Sequence, residues 1–487
     1  MSERRVIVLG AGPAGVGAAF RLARRGTPCV VVEQADAVGG HAGGFELDGL
    51  PVDYGSHRLH PSTPADVMAD VKALLGDDLL DRPRHGRIRL MGRWLHFPLK
   101  PADLVLHAPP RFVAGVAGDA LRKIVGGRRK PSSVATSNGA GAPADDGETF
   151  QSILERGLGR TIFRQFYGPF AIKMWGRAAR ELSPIQARKR VSAGSLGKMV
   201  GRILGALPGL KKPGQGRFFY PRGGFGRIPR AFADAAQASG AEIRLRTRVI
   251  ALERAGDRVV AVRVEGPHGA ERLDASHVLS TIPVKALVAT LTPAPPPEVV
   301  LAAGRIRLRS LLLVYLTLPV PRFTEYDAHY FPEVEIPFTR LSEPKNYSVR
   351  TEPRDRTVLC AEIPCEADDA LWNASDEALG RTVSEGLARA GLPLPAPPVR
   401  VTVKRARNAY PIYGIGYERD LEATDAWLSG LEGLTFFGRQ GLFAHDNTHH
   451  ALRMAYAAVS CLAPDGSFDR AAWARRREEF KAHVVED

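Results

Sequence analysis

The sequence predicts a mixed α/β fold in which a nucleotide-binding unit at the N-terminus is joined to a second domain. Three observations predict the nucleotide-binding unit. A short apolar strand occupies residues 6–9, a glycine-rich turn at residues 10–15 opens a helix, and a second apolar strand at residues 29–32 ends in Glu33. Strand, turn, helix and strand in this order and spacing are typical of a Rossmann-type βαβ unit.

The glycine turn contains the pattern G-x-G-x-x-G as Gly10, Gly12 and Gly15, with Pro13 and Ala14 between the last two glycines. Gly10 permits a tight turn, Gly12 lets the backbone approach a pyrophosphate, and Gly15 allows the helix and strand to pack closely. Free N–H groups at the helix N-terminus then face the anion. The turn therefore predicts a dinucleotide site.

Glu33 stands where an acid can accept hydrogen bonds from the ribose hydroxyls of the dinucleotide. Its charge would repel a 2′-phosphate, so NADP is disfavoured. The alternative is a glycine-rich turn that binds no ligand, but the strand, helix, spacing and acid together favour the dinucleotide.

Two further segments, GGHAGG at residues 39–44 and GSHRLH at residues 55–60, resemble a large flavoprotein superfamily. It includes amine oxidases, protoporphyrinogen oxidase, phytoene desaturases and UDP-galactopyranose mutase. The resemblance implies FAD as the cofactor, with the first segment around the pyrophosphate and the second against the flavin ring. The cofactor-binding residues that it implies here are Gly40, His41, Gly55, Ser56 and His57.

Later segments carry the same resemblance. Residues 218–229 resemble the family's YP-x-GG-x-G-x-(I/L) turn, and the strand that follows is expected to clamp the adenine through the backbone near Val249. Residues 434–443 contain Gly438 and Arg439, which the family folds against the flavin. The resemblance covers the cofactor domain well and the rest of the chain thinly.

The last long helix is predicted over residues 449–461, with Asn447 and Thr448 able to cap its N-terminus. In the family this helix end points at the flavin. Its partial positive charge would stabilise the reduced, anionic flavin.

The resemblance and the element pattern predict two interleaved domains, a Rossmann-type FAD-binding domain and an α+β substrate domain. The FAD-binding domain is predicted at residues 1–80, 215–290 and 405–487, and the substrate domain at 81–214 and 291–404. Within the substrate domain, the low-complexity residues 131–147 predict a mobile loop. Alternating apolar residues at 310–318 predict a buried strand.

Charge and composition limit the partners. Lysine and arginine total 67 against 52 acidic residues, a formal charge of +15, which favours anionic partners. Nucleic acid is not among the predicted partners, since no segment resembles a DNA-reading helix or an RNA-binding sheet. The four cysteines are scattered without metal-ligand spacing, and no metal is predicted.

The sequence shows no signal-peptide core and no apolar run long enough to span a membrane, so a cytoplasmic protein is expected. Basic stretches at residues 82–93 and 122–130 flank an apolar stretch. Such a segment could rest peripherally on the inner membrane face. The alternative is an arginine-decorated helix that covers the substrate cavity.

No second G-x-G-x-x-G follows a strand, so electrons are expected to enter from the substrate and not from a separate NAD(P)H domain. The first hypothesis is an FAD-dependent oxidoreductase, an oxidase or desaturase. Its substrate would be an anionic or amphipathic small molecule, and dioxygen or a quinone would be the final acceptor. A flavin-binding protein without catalysis is a further alternative.

The second hypothesis is a redox-neutral sugar-nucleotide isomerase that uses reduced FAD. The segments at residues 55–60 and 438–443 resemble the UDP-galactopyranose mutase branch most closely. However, Phe443, Ala444, His445 and Asp446 stand where that branch has tyrosines and an arginine that grip the substrate diphosphate. This departure puts sugar-nucleotide binding in doubt.

The candidate catalytic residues are His57, His445 and Asn447. The two histidines are the nearest groups able to move a proton near pH 7, and Asn447 lies at the helix end. His445 and His449 are four residues apart, but the predicted helix start falls between them, so no metal site is expected. The candidate substrate-binding residues are Lys173, Trp175, Arg177, Arg222, Tyr410 and Tyr413. For Trp175 and the two tyrosines, core packing is the alternative.

Overall fold

The computed structural model describes residues 5–98, 103, 106–125, 147–190 and 216–485. The predicted mobile loop at residues 131–147 lies outside these residues except for Gly147. The strands, in chain order, are β1 (Arg5–Leu9), β2 (Cys29–Val32), β3 (Gly44–Leu47), β4 (Leu50–Asp53), β5 (Leu79–Pro83), β6 (Gly86–Leu90), β7 (Arg93–Phe97), β8 (Arg217–Pro221), β9 (Glu242–Arg244), β10 (Arg248–Ala255), β11 (Arg258–Gly266), β12 (Gly269–Ser280), β13 (Leu291–Thr292), β14 (Leu308–Leu318), β15 (Ala328–Tyr330), β16 (Arg340–Ser342), β17 (Thr357–Cys365), β18 (Arg400–Pro411) and β19 (Leu434–Phe436).

The longer α-helices pack around the sheets made by these strands. They are α1 (Pro13–Arg24), α2 (Ala65–Leu75), α3 (Pro110–Val125), α4 (Phe150–Leu158), α5 (Gly168–Trp175), α6 (Pro184–Arg190), α7 (Arg227–Ala238), α8 (Val284–Thr290), α9 (Pro297–Arg305), α10 (Asp376–Arg389), α11 (Tyr417–Gly430), α12 (Thr448–Ser460) and α13 (Arg470–Lys481).

The larger sheet has eight strands in the order β13-β10-β11-β12-β1-β2-β9, with β19 paired to β12. β1 runs parallel to both β2 and β12, as a nucleotide-binding unit requires. Val6 and Val8 join one apolar core together with α1, α7 and α12, whereas Ile7 and Leu9 join a second core. Burial on both faces explains why β1 and β2 are continuously apolar.

The smaller sheet has seven strands in the order β18-β14-β17-β16-β15-β6-β7. β14 contains the predicted buried strand and lies between β17 and β18. Alternate side chains of β14 enter two different cores, with Leu312 and Val314 in one and Leu313 and Tyr315 in the other. The prediction of a buried strand at this position is confirmed.

The strands of the two sheets alternate along the chain, and this confirms the predicted fold class of a Rossmann-type domain interleaved with a second domain. The predicted domain bounds stay a prediction. Two strands near those bounds are informative, because Leu291–Thr292 pairs within the larger sheet and Arg400–Pro411 within the smaller one. No helix in the described part of the chain has the length and apolar character needed to cross a membrane.

Candidate cofactor and substrate site

The glycine turn has the close contacts that its sequence predicts. Gly10 has a φ of +92°, which favours glycine, and a Cβ at Gly15 would lie 1.8 Å from the Gly10 carbonyl oxygen. Gly12 differs, since its φ is −71° and a Cβ there would come no closer than 3.9 Å to its nearest neighbour, Gly40 Cα. Gly12 therefore borders a space that a side chain would fill.

Three segments far apart in sequence meet around this space. A Cβ at Gly40 would lie 3.1 Å from Gly12 Cα, and a Cβ at Gly438 would lie 2.8 Å from the Cβ of Ala14. Gly12 is the N-cap of α1 without a side-chain cap, and Pro13 occupies the first turn. The backbone N–H groups of this turn are therefore available to a ligand, and an anionic diphosphate fits the cradle.

Glu33 lies at the end of β2, directly against the glycine turn. Its carboxylate accepts hydrogen bonds from the backbone N–H groups of Ala11 at 2.7 Å and Ala35 at 2.9 Å. The N–H of Thr247 donates to the Glu33 carbonyl at 2.8 Å, which ties the segment before Val249 to the same strand end. The roles of Glu33 at the ribose and of Val249 at the adenine stay predictions with a consistent geometry.

The loop of Gly55, Ser56 and His57 is held by a side chain of the smaller sheet. The buried carboxylate of Glu362 in β17 accepts the Ser56 N–H at 2.8 Å. A Cβ at Gly55, whose φ is +96°, would lie 3.1 Å from the same carboxylate. Ser56 Oγ also shares a hydrogen bond with the Tyr347 hydroxyl.

Glu362 forms a buried ion pair that the sequence reasoning missed. Its two oxygens accept from Arg340 Nε at 2.9 Å and Nη2 at 2.8 Å. A charged residue within the otherwise apolar strand Thr357–Cys365 was the available signal. The pair joins the smaller sheet to the loop that is expected to contact the flavin.

His41 and His57 are held neutral near pH 7. Burial lowers the pKa of His57 to about 4, an effect that the Glu362 carboxylate opposes and Arg340 reinforces. Burial and the charge of Arg439 lower the pKa of His41 to about 4. A neutral His57 does not fit the expectation of a proton shuttle near neutral pH, because burial disfavours the imidazolium.

Asp53 explains how the turn at residues 218–229 is fixed. Its carboxylate accepts hydrogen bonds from the Tyr220 hydroxyl at 2.6 Å and the Phe225 N–H at 2.7 Å. Burial raises the pKa of Asp53 to about 6, although the hydrogen bond from Tyr220 opposes the shift. The buried carboxylate links the end of β4 to this family turn.

Residues 434–443, here called the last motif, contain β19 and then a short helical turn, Gly438–Gly441. Arg439 donates to the carbonyls of Ala409 at 2.7 Å and Asp446 at 3.2 Å, and its guanidinium lies 5.1 Å from the centre of the Tyr410 ring. Arg439 therefore fixes the loop that leads to α12.

Asn447 is the N-cap of α12, which begins at Thr448. Its backbone N–H donates to His450 Nδ1 at 3.2 Å. This confirms the predicted cap and places the helix start one residue before the predicted position. The contact of this helix end with the flavin stays a prediction.

His445 is buried, and its ring stacks on Tyr410 with centroids 5.5 Å apart. Tyr413 is also buried, and its hydroxyl donates to the Phe443 carbonyl at 3.0 Å and accepts the His445 N–H at 2.9 Å. These contacts favour a structural role for Tyr413 in this loop, and its contact with substrate stays a prediction. Tyr410, half-buried between Arg439 and His445, remains a substrate candidate.

The other substrate candidates differ in their surroundings. Lys173 donates to the carbonyls of Phe331, Glu333 and Phe338 at 2.6, 3.0 and 2.7 Å, which uses all three of its donors. These hydrogen bonds favour a structural role, and the substrate role of Lys173 stays a prediction. Burial lowers the pKa of Lys173 to about 7, which Glu333 opposes.

Trp175 is fully buried and packs edge-on against Phe150 at 5.5 Å, which favours the core-packing alternative over a substrate contact. The Arg222 side chain is 63% exposed and lies 3.7 Å from Asp78. Arg177 lines a separate pocket together with other arginines. The surroundings of these side chains depend on burial and on partners far away in sequence, so no local sequence motif predicts them.

Near α12, Asp446, His450 and His483 bring one carboxylate oxygen and two ring nitrogens within 4.8 Å of one another. The two imidazoles are almost parallel, at an interplanar angle of 12° and a centroid distance of 4.2 Å. A metal lies near the plane of each imidazole that binds it, so these stacked rings cannot share one ion without rotating. His483 Nδ1 lies 3.3 Å from Asp446 Oδ2, whereas His450 Nδ1 accepts the Asn447 N–H, so only one of the two histidines is hydrogen-bonded to the buried carboxylate.

Comparison with known proteins agrees with this geometry. A family model described as flavin-containing amine oxidoreductase matches residues 13–458. A phytoene dehydrogenase from Streptomyces griseus is 32% identical over 270 residues, which are 54% of this chain and 52% of that protein. The chain therefore spans about half the length of this curated relative.

Solved structures with the same fold include a reduced UDP-galactopyranose mutase, with a TM-score of 0.73, 21% identity and 94% of both chains covered. They also include a cyclohexylamine oxidase from Brevibacterium oxydans, with a TM-score of 0.65, 20% identity, and 98% of this chain and 100% of that chain covered. Identities this low show a shared fold. The family match confirms the resemblance and the prediction of FAD, and the pyrophosphate site at the glycine cradle stays a prediction. The chain belongs to the flavin-containing amine oxidoreductase family.

Proposed function

We propose that the protein is an FAD-dependent oxidoreductase that oxidises or desaturates an anionic or amphipathic small molecule. Dioxygen or a quinone would be the final electron acceptor. The observation that carries the proposal is the meeting of Gly12, Gly40 and Gly438 around the N-terminus of α1. The sequence contains one such nucleotide motif, so the substrate itself is the expected electron donor.

The residues of the chain have distinct tasks in this proposal. The first turn of α1 orients the diphosphate, Glu33 holds the ribose, and the loop fixed by Glu362 shapes the wall next to the ring. When bound, FAD accepts electrons from a substrate bond held beside it. Tyr410 at the end of β18 and the buried His445 stack on each other beside Arg439, where they could orient a substrate or hold a proton.

The anionic character of the proposed substrate is supported by the formal charge of +15, and its oxidation or desaturation by the similarity to a protein named phytoene dehydrogenase. Peripheral contact with an anionic membrane surface is part of the same proposal. On α3, Val113 is 42% and Leu121 is 61% exposed, and the neighbouring Arg111 and Arg122 are also exposed. Apolar side chains beside cations suit a lipid surface.

A reduction assay tests the activity. Purified protein with bound FAD would be mixed anaerobically with amines, porphyrinogens and polyene precursors in anionic vesicles, while bleaching of the flavin absorbance is followed. We expect at least one class to bleach the flavin, and dioxygen or a quinone to restore the colour. If no donor class reduces the flavin while the reduced protein catalyses a redox-neutral isomerisation, the proposal is wrong.

The mutase-like isomerase is the second candidate, and the similarity in fold to the solved mutase favours it. The loop after the last motif disfavours it, because Phe443 and Asp446 are buried and supply neither a phenol nor a guanidinium. Binding or turnover of a UDP- or GDP-sugar by dithionite-reduced protein, and not by the oxidised form, would establish this alternative.

A further inference from the structure

A pocket of about 580 Å³ opens on the outer side of the buried Tyr413. We call it the arginine pocket. Four arginines line it together with two acids, and Ile412, Ile415 and Tyr417 add apolar surface. The lining cations and acids are Arg177, Arg180, Arg305, Arg307, Glu181 and Asp420.

The pocket is built on a backbone framework. The N–H of Ile415 donates to the Glu181 carbonyl at 3.0 Å, and the N–H of Ile412 donates to the Arg307 carbonyl at 3.0 Å. An isolated bridge also pairs Leu182 with Gly414. The three segments that carry the arginines and the apolar wall are therefore tied together before any ligand binds.

The charges in the pocket are only partly matched. Asp420 accepts from Arg305 at 2.9 Å, and Arg307 lies 3.4 Å from Glu366 outside the pocket. Within the described part of the chain, Arg177 and Arg180 form no ion pair. Four arginines against two lining acids leave a formal charge of +2. Gathering like charges in a concave site raises the local potential and attracts an anion of matching charge.

We propose that the arginine pocket binds a small amphipathic anion that carries a phosphate or diphosphate group, at a site separate from the cofactor cradle. Planar guanidinium groups pair in bidentate fashion with phosphate oxygens. The volume of the pocket falls within the range of small-molecule sites, and the isoleucines and Tyr417 suit an apolar body. The inference does not depend on the proposed redox reaction.

The pocket is separated from the last motif by a wall of aromatic side chains. Tyr417 stacks on Tyr413 with centroids 4.7 Å apart, and Tyr413 meets Phe443 at 5.6 Å. Both Tyr413 and Phe443 are buried. A ligand in the arginine pocket would therefore occupy a different cavity from a substrate beside the flavin.

The test uses the protein with FAD bound, so that the dinucleotide cradle is filled. Inorganic pyrophosphate, inorganic phosphate and citrate would be titrated by calorimetry at fixed ionic strength. We expect saturable binding of one pyrophosphate per chain, tighter than binding of phosphate or citrate. The double variant Arg177→Gln with Arg180→Gln should weaken pyrophosphate binding at least tenfold.

A matched control is the double variant Arg93→Gln with Arg419→Gln, which removes the same charge from exposed arginines outside the pocket. It should bind pyrophosphate like the unmodified protein. Flavin content and thermal midpoint report whether each variant is folded. Equal weakening in both double variants, absence of saturable binding, or tighter binding of citrate than of pyrophosphate would overturn the assignment. Loss of redox activity in other assays would leave this result unaffected.

Discussion

The contrast between Gly12 and Gly15 gives a sharp test of the cofactor cradle. Gly12→Ala places a methyl group 3.9 Å from Gly40 Cα at a φ of −71°, which alanine adopts without strain. The free energy of unfolding of the apo protein should therefore change by less than about 1 kcal/mol. The methyl group nevertheless fills the space through which a diphosphate reaches the first turn of α1.

The loss of FAD affinity can be estimated from the contacts at risk. A hydrogen bond to a charged group contributes about 1.5–3 kcal/mol, and two such bonds to the diphosphate would be lost or lengthened. A sum of about 3–6 kcal/mol corresponds to roughly two to four orders of magnitude in Kd. Titration of FAD into apo protein, followed by flavin fluorescence, measures this change directly.

Gly15→Ala provides the matched comparison. Its Cβ would lie 1.8 Å from the Gly10 carbonyl oxygen, so α1 and β1 must move apart before the side chain fits. We expect the apo protein itself to lose about 3 kcal/mol or more of its stability, as in other overpacked sites. If Gly12→Ala binds FAD with unchanged affinity, or Gly15→Ala unfolds at the midpoint of the unmodified apo protein, the proposed role of this turn is refuted.

Three further predictions concern the site, and a fourth concerns the buried His277 in β12 of the larger sheet. Glu362→Gln should lower stability by about 3 kcal/mol by leaving a buried guanidinium unpaired, whereas Glu271→Gln at an exposed pair should change the thermal midpoint little. Glu33→Ala should weaken FAD roughly 10- to 100-fold while the apo protein stays folded, and unchanged affinity would contradict its role at the ribose. His445→Ala should reduce turnover of the true substrate about 10²- to 10⁴-fold with FAD still bound, and a wild-type rate and pH profile would make it a packing residue. Burial lowers the pKa of His277 to about 4, so only the unfolded chain binds this proton between about pH 6.5 and 4, and stability should fall as pH falls through that window. Denaturant titrations at several pH values should show that the free energy of unfolding falls less steeply with decreasing pH in His277→Gln. An unchanged pH dependence would exclude His277 as its source.

The sequence predicted the parts of the molecule that local chemistry specifies. The glycine-rich patterns predicted turns at Gly12 and Gly40, and these two residues lie in close contact. The position of Asn447 before an apolar helix predicted a helix cap, and Asn447 is the N-cap of α12. Each of these signals is contained within a few neighbouring residues. Their meeting in space followed from the family resemblance and not from the spacing of the residues.

The substrate side could not be predicted in the same way. Lys173 has the charge expected of an anion-binding residue, but its partners are carbonyls supplied by residues 331–338, which the chain reaches much later. The hydroxyl of Tyr413 donates to the Phe443 carbonyl and accepts the His445 N–H. Whether a polar side chain faces a ligand or its own backbone depends on tertiary packing, which these segments do not encode locally.

The ion pair that holds the loop at Ser56 has a consequence for how the protein is made. Ser56 and its partner Glu362 are separated by 306 positions, and the N-cap of α12 is synthesised later still. A nascent chain can form the glycine turn early, yet it lacks the carboxylate that fixes the Ser56 loop until most of the protein has been synthesised. With the proposed contact between this loop and the flavin, complete cofactor capture would follow synthesis of β17, and an N-terminal fragment cut before β17 would offer FAD only part of its site.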